Sequence, residues 1–118
     1  MMERGEFIGM LYHSVNYYNL YTFTFSGVGA SSVRNTLNET KEKLFNLANE
    51  LLETSQSEGF IEVNIPPTRV IIDSLEFTEI LLKFIRGNKG VFQSYQSFII
   101  DQIEVLLSKT IYRIKYLK

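Results

Sequence analysis

Asp73 and Glu76, three residues apart, and His13, the single histidine, are the side chains best suited to proton transfer. A carboxylate pair divides acid and base roles when its two environments differ, and an imidazole titrates near neutrality. The spacing also has a plainer use. An aspartate three residues ahead of a glutamate, before the apolar run "LEFTEILLKFIR", matches the capping box of a helix start. Capping accounts for the pair without chemistry, and the usual catalytic sets are missing. With no cysteine, thiolate nucleophiles are excluded, and His13 alone cannot build a Cys/His zinc centre. No Gly-x-Ser-x-Gly elbow, Walker sequence or His-Glu-x-x-His pair occurs. The expectation is a protein that is not an enzyme and holds no cofactor and no metal.

A second chemistry is anion binding. "GVGASS" at 27–32 precedes an apolar-periodic segment, and backbone N–H groups at a helix start attract phosphate. Gly27, Gly29, Ser31, Ser32 and Arg34 are the candidates for a nucleotide or phosphate ligand. The dinucleotide fingerprint is incomplete, because Ser32 stands where its third glycine belongs. Arg34 is the more pointed feature, since a cation in a first helical turn opposes the macrodipole unless an anion compensates it. Glycines making a turn and Ser31 or Ser32 capping the helix explain the same loop without a ligand.

The third possibility is recognition of another protein. Tyr12, His13, Tyr17 and Tyr18 cluster in sequence, and tyrosine supplies contact area at low entropic cost. Seven tyrosines exceed what a core of this size needs, so some are expected at the surface. From Glu39 to Glu62 six acids face two lysines, whereas after Glu104 come Lys109, Arg113, Lys115 and Lys118, interleaved with Tyr112 and Tyr116. Opposed charge of this kind suits self-association or pairing within the chain. The whole chain is nearly neutral, at a net charge of -1, which argues against nucleic acid and anionic membranes as partners.

The elements that must position these residues follow from periodicity. At 118 residues the chain is read as one domain. Residues 6–13 and 17–25 are rich in aromatic residues, and Tyr17, Tyr21, Phe23 and Phe25 fall on one face at period two. This predicts a hairpin turning at 14–16. Val33, Leu37, Leu44, Leu47, Ala48 and Leu51 form one helical stripe, placing a helix at 32–53, with Gly59 suited to its left-handed closure. Residues 60–65 alternate as a strand until Pro66 and Pro67, and 68–72 resume a β-branched run. A helix opens at Asp73 and closes at Gly87, and another runs from about 92 to 108. Residues 110–117 read narrowly as a closing strand.

The expected fold is therefore α+β, an antiparallel sheet with an N-terminal hairpin, packed on one face by three helices. No run approaches the roughly 20 apolar residues that span a bilayer, so a cytoplasmic protein is expected. Phe, Ile, Asn, Lys and Tyr total 43 residues against 16 for Gly, Ala, Arg and Pro, a bias that points to A/T-rich coding. The expected function is a protein-binding module, a small bacterial or phage inhibitor, immunity protein or adaptor. It would act through the tyrosine hairpin and the acidic helix, and self-associate, most simply as a dimer. The alternative is an anionic-ligand binder using the 27–32 loop and Arg34.

Overall fold

The structure, a computed structural model, describes residues 3–22, 30–64 and 73–116. Among the described residues there is no strand, and the expected α+β sheet gives way to four α-helices. They are α1 (Arg4–Tyr21), α2 (Ala30–Gln56), α3 (Ser74–Asn88) and α4 (Ser97–Tyr116). Two 3-10 turns, Lys89–Val91 and Ser94–Gln96, join the last two.

The N-terminal hairpin is the largest correction. Phe7, Leu11, Ser14, Tyr18 and Tyr21 are all buried, in alternating steps of four and three, which is the core stripe of a helix. Ser14 and two tyrosines occupy positions where such stripes usually carry aliphatic residues, while Leu20 on the other side is exposed. The apolar contrast between the faces is thereby blurred, and the aromatic content suggests a strand. Packing overrides that propensity. Residues 23–25, the rest of the alternation, lie outside the described residues.

The closing strand is also corrected. α4 continues to Tyr116, with Thr110 and Ile114 extending its buried stripe of Ile99, Ile103 and Leu107. Residues 60–64 are irregular rather than a strand, and the expected strand at 68–72 lies outside the described residues. The helices expected at 32–53 and after Asp73 are present as α2 and α3. Asp73 caps α3, its carboxylate accepting from the Leu75 N–H at 3.1 Å. Gly59 has a positive φ of 147°, three residues beyond the end of α2.

α1 packs on α2 and α3, and α4 packs on the same two helices. Residues 60–64 cross the first turn of α1, where the Asn64 N–H donates to the Gly5 carbonyl at 3.2 Å. Arg4 fastens this end. Its guanidinium donates to the Val91 carbonyl at 3.0 Å, meets Glu58 at 3.1 Å and lies over the Phe92 ring.

Three buried polar links cross between helices and fix their register. Tyr18 meets Thr78 Oγ1 at 2.7 Å, Thr40 meets Thr110 at 2.6 Å, and Gln96 donates to Ser55 Oγ at 2.9 Å. No buried side-chain polar atom among the described residues lacks a partner. The threonine pair obeys a proton count. Both hydroxyls lie within reach of their own helix carbonyls, Thr36 and Leu106, yet two protons cannot make three bonds. One threonine therefore donates across the interface, and its partner donates to its own helix. Thr40→Val or Thr110→Val alone leaves a buried hydroxyl partly unpaired and is expected to cost about 1 kcal/mol in urea denaturation. The double variant is expected to recover most of that loss, because both polar groups leave together.

Candidate functional site

The tyrosine cluster expected to form an exposed tip is instead internal furniture of α1. Tyr18 is fully buried, and Tyr12, His13 and Tyr17 are half-buried. Tyr17 packs on Phe77 of α3 at 4.9 Å, with His13 edge-on to it at 4.7 Å. Tyr12 donates its hydroxyl to Asn49 of α2 at 2.6 Å. Burial pushes the hydroxyl pKa of Tyr12 up, with Glu53 adding to the effect. Burial likewise drives Tyr21 up to about 12, helped by Tyr17, Asp73 and Glu76. These rings join α1 to α2 and α3, and the tyrosines expected at the surface are instead Tyr95, Tyr112 and Tyr116.

Of the anion-binding candidates, Gly27 and Gly29 lie outside the described residues. Ser31 and Ser32 are exposed inside the first turn of α2, which begins at Ala30, so neither is the residue preceding the helix. Arg34 is exposed one turn on and already interacts with another group of the chain. Asp73 and Glu76 line a shallow depression with Glu79, Ile80 and Lys83, and His13 is not part of it. Among the described residues no group of three or more His, Asp or Glu side chains is placed to hold a metal ion. No helix among them is long and apolar enough to cross a membrane.

What the sequence reading passed over is the outer face of α4. Opposite its buried stripe stand Phe98, Val105 and Tyr112, seven residues apart and exposed to 70%, 53% and 56%. A spacing of seven on an α-helix drifts by only about 20° per step, so the three form one ridge about 21 Å long. Tyr116 prolongs it, its ring 5.2 Å from that of Tyr112. The ridge is bordered by two open furrows. One, toward α2, is lined by Lys43, Leu47, Gln102 and Leu106; the other, toward α3, by Arg86, Glu104, Ser108 and Arg113.

The charges beside the ridge fall into two groups. Glu104 is held by Lys89 at 3.1 Å and Arg86 at 3.6 Å. Arg113 reaches Glu39 of α2 at 2.8 Å, and with Lys43 it holds the Glu39 carboxyl below the usual carboxylate range. Here the acidic helix and the basic C-terminal segment pair within one chain. By contrast Asp101 and Lys109, both exposed and four residues either side of Val105, have no ion pair among the described residues.

Apolar residues scattered singly over a surface are ordinary, but these three stand on one line along the helix, about 10 Å apart, with Asp101, Gln102, Ser108 and Lys109 between them. The signal was present in "SFIIDQIEVLLSKTIYRIKY", where apolar residues occupy two opposed stripes rather than one. Reading only the stripe through Ile99 and Ile103 leaves Phe98, Val105 and Tyr112 unexplained. The chain matches no protein-family model, no curated protein and no solved structure.

Proposed function

We propose that this protein is a non-enzymatic protein-binding module that acts through the outer face of α4. The observation that carries the reading is the ridge of Phe98, Val105 and Tyr112, solvent-exposed on a helix whose opposite side already fills the core. Aromatic residues on a rigid helix supply desolvated anchors, and the flanking charges form the polar rim that a protein interface requires. The placement of His13 outside the Asp73–Glu76 depression supports the non-enzymatic half of the reading.

Site-specific photo-cross-linking tests it. A benzophenone amino acid at Phe98 or Tyr112, in the full chain inside its host cell, is expected to give discrete adducts above the mass of the chain. The same group at Lys83, exposed on α3, is the control and is expected to give none. Equal labelling at both places, or none at Phe98 and Tyr112, would remove α4 as the binding face.

A further inference from the structure

The α4 ridge is arranged symmetrically about Val105, and from that symmetry we infer that its occupant is a second copy of this chain, packed antiparallel across a two-fold axis at Val105. The inference rests on the reading of α4 as the binding face and adds the partner and its geometry. In an antiparallel pair of helices related by such an axis, a residue n positions before Val105 lies level with the residue n positions after it in the other copy. Phe98 is seven before and Tyr112 seven after, so each end of the contact sets phenylalanine against tyrosine. Asp101 is four before and Lys109 four after, so each end also sets a carboxylate against an ammonium. Gln102 and Ser108, three either side, supply a polar pair, and Val105 meets its own copy on the axis.

Two observations make this more than a pattern of letters. Asp101 and Lys109, the charges that flank Val105, have no ion pair among the described residues, as is also true of Lys115 near the end of α4, whereas Glu104, Arg113, Arg86 and Lys89 are engaged. Within one helix they stand eight residues apart, about 12 Å along the axis, too far to pair with each other. The antiparallel arrangement satisfies both charges twice over. A parallel pairing in register does the reverse, setting Asp101 on Asp101 and Lys109 on Lys109, and like charges brought face to face select against it. Sliding the antiparallel register by one heptad loses the charge match and leaves one aromatic unpaired.

A helix-on-helix contact of this length belongs to the small interfaces, below about 1,200 Å² in total. The expected product is a concentration-dependent dimer rather than a permanent one. Sedimentation velocity on the full chain from micromolar to several hundred micromolar, at low ionic strength, is expected to show the dimer growing in. Asp101→Lys and Lys109→Asp each set like charges opposite at both ends, and each is expected to weaken the dimer at least about tenfold. The double variant restores the match and is expected to recover wild-type association. Both positions are exposed, so unchanged helix content by circular dichroism separates loss of the dimer from loss of the fold.

Because the chain has no cysteine, Val105→Cys offers an independent reading. On the axis the two introduced thiols come within disulfide range, so mild oxidation is expected to give one covalent dimer. Phe98→Cys is expected to cross-link with Tyr112→Cys in a mixture and not with itself. A chain that stays monomeric at every concentration overturns the self-pairing. Photo-adducts at Phe98 of a mass other than twice the chain would then leave the binding face standing without it. A dimer indifferent to both charge changes, or one in which Phe98→Cys cross-links to itself, overturns the antiparallel geometry.

Discussion

Gly5→Ala is expected to destabilise this protein by about 1–3 kcal/mol, although alanine is the better helix former. Gly5 sits in the first turn of α1, beneath the irregular segment at 60–64. A Cβ built there would overlap the carbonyl oxygen of Glu62, and the obstacle is backbone that no rotamer change can move aside. Either the segment lifts, losing the Asn64 N–H to Gly5 carbonyl bond, or α1 shifts against α2 and α3. Relieving overpacking typically costs 1–3 kcal/mol and a buried hydrogen bond about 1 more. The helix-propensity gain of about 1 does not offset them. Gly87 makes the control within the same molecule. It is helical near the end of α3, and a Cβ there would meet nothing within 4 Å. Gly87→Ala is therefore expected to stabilise slightly, by up to about 0.5–1 kcal/mol. Urea denaturation of the two variants should show opposite signs; equal, small effects would mean that the 60–64 crossing is not held against α1.

The same contrast explains what was legible in the sequence. α2 and α3 were readable because their buried positions are mostly aliphatic, as in Leu37, Leu44 and Leu51, and because Asp73 caps the start of α3. α1 was not, because its buried stripe holds Ser14, Tyr18 and Tyr21, and each is tolerable only through a partner on another helix or a backbone carbonyl. Ser14 donates to the Met10 carbonyl at 2.7 Å, and Tyr18 needs Thr78, sixty residues away. No local pattern announces such partners. The face proposed for binding was hidden by the opposite effect. The surface expectation falls on Tyr12, Tyr17 and Tyr18, whereas the exposed ridge begins at Phe98 and Val105, for which the sequence suggests no role. Tyr112 and Tyr116 alternate with basic residues in the manner of a strand, which conceals that they continue the line of Phe98. The charge register of Asp101 and Lys109 about Val105 becomes visible only once 97–116 is a single helix.

Above about pH 10 the helices are expected to lose stability steeply, and Tyr18→Phe should delay that loss while weakening the protein at neutral pH. The Thr78 hydroxyl donates to the Ser74 carbonyl at 2.8 Å, so in the Tyr18–Thr78 contact Tyr18 is the donor. Ionising Tyr18 leaves a charge in a site with no exposure, and burial drives its pKa far up although the Thr78 hydroxyl can turn to donate to the phenolate. Tyr21, nearly as buried, is raised to about 12. The sign follows from proton linkage. A tyrosine whose folded pKa exceeds its unfolded value of about 10 contributes in full below pH 10. It loses that contribution as pH climbs toward the folded value. Each such group removes about 1.4 kcal/mol per pH unit in that window. Tyr18 and Tyr21 together therefore remove about 5 kcal/mol by pH 12, comparable with the whole stability of a small domain. Tyrosinate absorbance at 295 nm, followed beside helix circular dichroism, should show an early phase with helix intact and a late phase coincident with unfolding. Tyr18→Phe forfeits about 1 kcal/mol of hydrogen bonding at pH 7 but carries one fewer buried proton, so its stability curve should cross that of the wild type between about pH 10 and 12. Full ionisation of all seven tyrosines with the helix signal unchanged would contradict the placement of Tyr18 between α1 and α3.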